Sequence, residues 1–385
     1  MLNIPNKIGT CAFGVKTGAI LPGDDIIEKV YENVKDLVDN NDIICVTEAV
    51  VAISQKNYIT IDTIATEIRK KLNINEYSSV GVIYPIASRN RFSLILKGIA
   101  KSVEKGKITI QFSYPNDEVG NPIIREDFIK KLGKSLDDKI SMNELEGRVF
   151  PHPFTGVDYI SLYDKIIKDS GAKSEIFLCN NAKEIINHNP NGIIVSSIHS
   201  RKKIKNKIQE NYKNCITLQE ICNDKSKDAW SEWGLLGSNM VGDGLKLAPR
   251  EANKIAEAIQ SKIMVAGKKV EVIIYGDGAY KDPDTGIYEL ADPTPVFGST
   301  KGLKERIRKG VKYKFLADKL YKQGKKREEI ERYIEEKQGE SYSKDNINME
   351  GTTPRKLSYI TASLADLVSG SADAGTPIVI VKNLF

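Results

Sequence analysis

Cysteine is sparse in these 385 residues: Cys11, Cys45, Cys179, Cys215 and Cys222 are scattered, odd in number and never paired at zinc-site spacing. That pattern argues against a disulfide framework or a structural zinc and leads to the expectation of a reduced, cytoplasmic protein. Histidine is sparser still; His152, His188 and His199 sit in separate segments without metal-ligand spacing and are expected at surfaces or caps. Neither a Gly-x-Ser-x-Gly elbow nor a Walker-type loop occurs, which disfavours hydrolase and P-loop chemistry. No apolar run approaches the roughly 18 residues of a membrane span. The opening Met1-Leu2-Asn3-Ile4-Pro5-Asn6-Lys7 also lacks the basic-then-apolar plan of a signal peptide. Charge of one sign is scarce too: 57 Lys+Arg against 51 Asp+Glu leaves only +6.

What is present is ample material for a core. With 41% hydrophobic and 28% charged residues, wholesale disorder is ruled out, and the length suits two or three domains. Short apolar runs alternate with helical patterns, the mark of an α/β architecture. Asp24-Asp25 caps a predicted helix with the stripe Ile26, Ile27, Val30, Val34 and Leu37, and Asp42–Thr47 follows as a buried strand. Strands are predicted at Ser79–Tyr84 and Ile108–Tyr114, with helix Phe92–Val103 between them. From Asp158 the pattern reads helix Tyr159–Asp169, strand Glu175–Cys179, helix Ala182–Ile186, strand Gly192–Ser196, a basic helix from Arg201, and strand Cys215–Leu218. This βαβαβ rhythm is a small doubly wound unit, although no glycine-rich phosphate loop follows its strands. A helix Arg250–Ile263, with Pro249 in its first turn, then leads to strand Val270–Tyr275. Leu303, Ile307, Val311, Phe315, Leu316 and Leu320 form one face of a lysine-rich helix, which Gly324 breaks before a second helix, Glu328–Lys337. These are solvated helices; with no nucleic-acid motif beside them, nucleic-acid binding is not expected. Ser341–Thr353 reads as a linker, Leu357–Val368 as a helix and Pro377–Val381 as a strand.

Three loops carry polar chemistry. In Gly276-Asp277-Gly278, at the carboxyl end of a strand, Asp277 is either a ligand for a hard divalent ion or part of a plain turn; Asp282 and Asp284 follow closely. Ser369-Gly370-Ser371-Ala372-Asp373-Ala374-Gly375-Thr376 either presents backbone N–H groups to phosphates or caps a helix and turns. Trp233–Asn239, followed by Gly242-Asp243-Gly244, is a glycine-rich loop in which Asn239 can read a base or sugar and Asp243 can bind metal.

Together these pieces resemble the coenzyme F420-0:L-glutamate ligase family of gamma-glutamyl ligases. The resemblance rests on Gly23-Asp24-Asp25 and the strand Asp42–Val51, on Gly237-Ser238-Asn239 with Leu247-Ala248-Pro249-Arg250, and on Val272-Ile273-Ile274 leading to Asp277. The closing segment, Ala365–Gly370 through Gly375–Val381, is the most specific part. The resemblance implies an α/β (α+β) fold with mixed sheets. Its core would comprise 1–74, 224–298 and 347–385, with an inserted α/β region at 75–223 and a charged helical insertion at 299–346. It also implies a cytoplasmic homodimer that uses GTP and Mg²⁺ or Mn²⁺ to add L-glutamate to a carboxylate acceptor through an acyl phosphate. Carried across by position, Asp277 is the metal ligand, while Ser238, Asn239, Ser369, Gly370, Ser371, Asp373 and Gly375 hold the nucleotide. The sequence also departs from the family pattern. The second metal aspartate falls on Leu236, the lysine after the early strand falls on Ile53 (the nearest basic residue is Lys56), and Tyr359-Ile360 replaces an acidic pair. Asp158 or Asp243 stands in for the lost ligand, and Arg89 or Arg91 for the lost lysine. Two other readings stay open: a ligase for a different acceptor such as folate, and a non-catalytic homologue that binds a nucleotide or another anion.

Overall fold

The computed structural model describes residues 8–278, 280–288, 291–304, 306–308, 312–337, 355–369 and 375–384. Its centre is a five-stranded sheet in the order Cys11–Val15, Ile378–Lys382, Ile43–Thr47, Glu271–Tyr275, Val296–Ser299. Ile43–Thr47 and Glu271–Tyr275 run parallel, and every other neighbouring pair is antiparallel. The apolar runs that make these strands are continuous because both faces are covered. On one face Ile44, Val46, Val272, Ile274, Ile378 and Ile380 meet helices Ile26–Val34 and Ala252–Val265. On the other, Ile43, Cys45, Ile273, Tyr275, Val379 and Val381 meet helix Leu357–Ser369. Asp25 caps the first helix as its sequence predicts, accepting from the N–H groups of Ile27 (3.0 Å) and Glu28 (3.1 Å).

A six-stranded sheet lies beside this one, ordered Ile140–Ser141, Lys173–Leu178, Lys107–Phe112, Ser79–Ile83, Gly192–Val195, Cys215–Thr217. All its strands are parallel except the short Ile140–Ser141. Strand order reverses on either side of Ser79–Ile83, so a crevice opens at the carboxyl ends there, as in doubly wound folds. Helix Ile61–Leu72 packs on helix Phe92–Ser102 at Gly98, where a Cβ would stand 2.5 Å from Ile64 Cγ2. A side chain there would force the two helices apart.

Several sequence expectations change in detail. The lysine-rich stretch is not one helix: Lys301–Lys304 is a single turn, Ile307–Arg308 pairs with Arg355–Lys356, and the helix proper is Tyr313–Lys322. Helix Ala252–Val265 begins after Pro249, because Glu251 takes a left-handed conformation (φ 50°) ahead of it. Ala182–His188 is a 3₁₀ segment. The expected linker, 341–353, lies outside the described residues. No helix among the described residues is long and apolar enough to cross a membrane, and all five cysteines are free thiols.

Lys382 closes the central sheet. Its ammonium donates to Asp42 Oδ2 (2.6 Å) and Asp39 Oδ2 (2.9 Å), and the Lys382 and Asp42 side chains are only 4% and 6% exposed. Lys382→Met strands the Asp42 charge, and the expected loss in urea unfolding is about 3–5 kcal/mol. The hydrogen bond from Lys382 holds Asp39 below the ordinary carboxylate range against the opposing effect of burial, with Lys268 assisting. A depressed carboxylate stabilises the fold above its unfolded pKa and loses that contribution as pH falls through the folded value. The wild-type stability profile is therefore expected to decline below about pH 4, and Lys382→Met to lack that portion of the decline.

Candidate active-site cleft

The parallel pair Ile43–Thr47 and Glu271–Tyr275 ends side by side, and both carboxyl ends open into a cleft of about 710 Å³. Helix Glu48–Ser54 starts directly from the first of these strands, placing Glu48 on the cleft wall. Lys246 Nζ donates to both Glu48 oxygens (2.6 and 2.8 Å), with both side chains nearly sealed from solvent. Burial raises the Glu48 pKa, and the Lys246 charge opposes that shift. Lys246 comes from a hairpin, Asn239–Val241 with Gly244–Lys246, whose register sets Asn239 opposite it. Sequence reading made this hairpin a glycine-rich loop.

The second strand delivers Gly276-Asp277-Gly278, and the two glycines serve a purpose the sequence does not disclose. A Cβ on Gly276 would meet Asp292 Oδ2 at 2.3 Å; one on Gly278 would meet Asp366 Oδ2 at 3.0 Å. Their absence lets Asp292 accept the Asp277 N–H (2.9 Å) and Asp366 accept the Gly278 N–H (2.8 Å). The loop thus gathers two further carboxylates around the first. Into this group reaches Arg91, from the loop after Ser79–Ile83 of the other sheet. Its Nη1 lies 2.7 Å from Asp292 Oδ1 and its Nη2 3.1 Å from Asp277 Oδ2. Burial disfavours the guanidinium charge, yet Asp292 and Asp277 outweigh it and push the Arg91 pKa upward. Asp277 is itself raised, first by burial and then by Asp292, while Arg91 pulls the other way.

The donor set suits a hard divalent cation. Beyond the Glu48–Lys246 pair, the cleft holds Asp277, Asp292 and Asp366 against the single guanidinium of Arg91. Asn239 Oδ1 is buried there with no hydrogen-bond partner among the described residues. Carboxylate and amide oxygens are the ligands that Mg²⁺ and Mn²⁺ take. Among the described residues no group of three or more acids, histidines or cysteines is already drawn together around an ion position. Arg91 spans the acids instead.

The sequence-derived site residues divide accordingly. Asp277, Asn239, Ser369 and Gly375 all line the cleft. Ser369 Oγ accepts from the Tyr275 hydroxyl (2.9 Å). Ser238 sits just behind, its hydroxyl donating to Leu235 O (2.7 Å). Gly370, Ser371 and Asp373 lie outside the described residues. Asp158 is engaged elsewhere as a cap, accepting from the N–H groups of Ser161 and Phe150, and Asp243 is exposed at the hairpin turn; neither lines the cleft. Ile53 does line it, and Leu236 is buried in an apolar cluster. Of the two arginines offered for the missing lysine, Arg91 is in the cleft wall and Arg89 is not. The histidines stay out of the cleft: His152 is buried against Asn121, and His188 pairs with Glu175. Sequence reasoning missed Glu48, Asp292 and Asp366 as site residues. Glu48 had a usable signal, an acid immediately after a buried strand; Asp292, in an irregular loop, had none.

Arg91→Met removes the cation that bridges buried Asp292 and partly exposed Asp277, and urea unfolding should show a loss of about 3–5 kcal/mol. The double variant Arg91→Met/Asp292→Asn is expected to regain much of that loss, because the stranded charge goes with it. Equal losses in the single and double variants would disprove the pairing.

Residues 14–383 match the family described as F420-0:Gamma-glutamyl ligase, a span that runs through both sheets and the cleft between them. No curated protein sequence matches the chain. Among solved structures, the crystal structure of the tetrameric eIF2B-beta2-delta2 complex from C. thermophilum aligns over 56% of this chain and 62% of that chain, at 13% identity and a TM-score of 0.25. The chain thus spans less than two thirds of that protein, and a likeness this slight carries no argument. The family match covers nearly the whole sequence, and the chain belongs to the F420-0:gamma-glutamyl ligase family.

Proposed function

We propose that this protein is a nucleotide- and divalent-metal-dependent gamma-glutamyl ligase, working as a homodimer. The observation that carries the reading is the convergence of Asp277, Asp292, Asp366 and the unpartnered Asn239 Oδ1 in one cleft, within a chain of this family. Asp277 and Asn239 would hold the ion, which supplies charge neutralisation for phosphoryl transfer. Taking an ion at Asp277 requires Arg91 to release its pair, and the freed guanidinium then faces the phosphate side of the same cleft. Ser369, Gly375 and Thr376, which line the cleft, would form the nucleotide side. GTP is the expected donor: its γ-phosphoryl passes to the acceptor carboxylate with release of GDP. The amine of L-glutamate then displaces phosphate from the acyl carbon, forming the amide and shedding a proton. The acceptor is an F420 precursor or another carboxylate, folate included. Helix Leu357–Ser369 carries exposed Tyr359, Leu367 and Val368, apolar surface suited to a second copy.

A second reading has its own observation. Leu236 is buried where the family pattern places a metal aspartate, and Arg91 already pairs with Asp277 and Asp292. On that reading the protein binds nucleotide without turning it over.

Thermal unfolding with GTP, then ATP, each with and without Mn²⁺, separates these cases. A ligand at about a hundred times its Kd adds roughly 2.7 kcal/mol to the folded state, a shift of several degrees. A Mn²⁺-dependent GTP shift that disappears in Asp277→Ala, with nucleotide consumption on adding L-glutamate and acceptor, is the expected result. A shift without consumption selects the second reading, and no shift with either nucleotide refutes both.

A further inference from the structure

Helix Ile61–Leu72 and the segment around Cys222–Ala229 enclose an open groove of about 470 Å³ that shares no lining residue with the cleft. Its wall includes Glu67, which is 7% exposed and whose Oε2 is sealed from solvent with no hydrogen-bond partner among the described residues. A buried carboxylate oxygen without a donor is destabilising unless a partner arrives. Thr63 and Thr66 stand on the same helical face and line the groove beside it. Asp228 adds negative charge at the rim beside Lys227, while Asp62 is paired with Lys101. Tyr58 and Ile59 supply an apolar flank.

We propose that this groove binds a small organic ammonium with an apolar body, its charged nitrogen donating to the Glu67 carboxylate and its body lying along Tyr58 and Ile59. An organic cation is favoured over a metal ion because the acids here are not drawn together at ion-binding spacing. The volume also falls within the range of small-molecule sites, about 300–1,000 Å³. Cys222, on the same wall, does not compete for the role. Burial and then Glu67 push its thiol up to about 12, so it stays neutral. The proposal is independent of the ligase reading.

Tryptamine and its neutral isostere indole-3-ethanol test it by isothermal titration calorimetry on the full chain near pH 7. Tryptamine should bind saturably at one site. Indole-3-ethanol on the wild type, and tryptamine on Glu67→Gln, should each bind roughly tenfold or more weakly, the cost of losing a charge-assisted hydrogen bond. Thr66→Trp, which fills the groove from an exposed helix position, should abolish binding while circular dichroism stays that of the wild type; it decides the matter if Glu67→Gln does not fold. Asp277→Asn, in the separate cleft, should leave the titration unchanged. Absence of saturable binding, equal affinity for the two probes, or loss on Asp277→Asn would each overturn the proposal.

Discussion

Arg91 lies between Asp277 and Asp292, and much of the cleft's architecture follows from that fork. A guanidinium offers a planar pair of N–H groups, so one side chain can satisfy two carboxylates from different loops at once. The acids belong to the loops beyond Glu271–Tyr275, and the arginine to the first loop of the six-stranded sheet. The contact therefore joins the carboxyl ends of two independently covered sheets. Without it, Asp292, which is almost wholly buried, would keep the Asp277 N–H as its hydrogen-bond donor among the described residues. Glu48 and Lys246 make a nearly sealed pair nearby, so the cleft's surplus charge is confined to the Asp277 side.

The fold was legible in the sequence where periodicity is strong. Ile26–Val34, Tyr159–Asp169 and the strands at Ile43, Ser79, Gly192 and Glu271 all stand where their apolar spacing puts them. Cys11–Val15 and Val296–Ser299 did not announce themselves, because they are short edge strands defined by their partners rather than by their own pattern. The lysine-rich stretch misled for the opposite reason: its apolar residues keep helical spacing across a turn, a short strand and a helix.

The site was legible only in part. Asp277 was found because glycines bracket it at a strand end, but their physical reason, room for Asp292 and Asp366, appears only when three distant segments meet. Asn239 was named for its chemistry, and its unsatisfied oxygen adds the detail that the amide is held ready for a partner. Arg91 was one of two arginines with equal claims in sequence, since nothing local separates it from Arg89. Only the direction in which the loop leaves Ile83 settles which one reaches the acids. Asp158 shows the reverse case, an acid in a polar run whose lone pairs are already spent on a helix start.

The strand order of the central sheet also governs how the chain can be made. Ile378–Lys382 is an interior strand, inserted between Cys11–Val15 and Ile43–Thr47, with Ile378 opposite Val46. Cys11–Val15 cannot find its neighbour, nor Ile43–Thr47 the second of its two, until that far downstream segment has left the ribosome. The residues from Ser79 to Thr217, by contrast, complete a sheet among themselves. Synthesis thus favours an order in which the six-stranded sheet closes first and the central one waits, its apolar strands held open through most of translation. Contacts so remote in sequence fold slowly, and the waiting strands are the part of the nascent protein most in need of a chaperone.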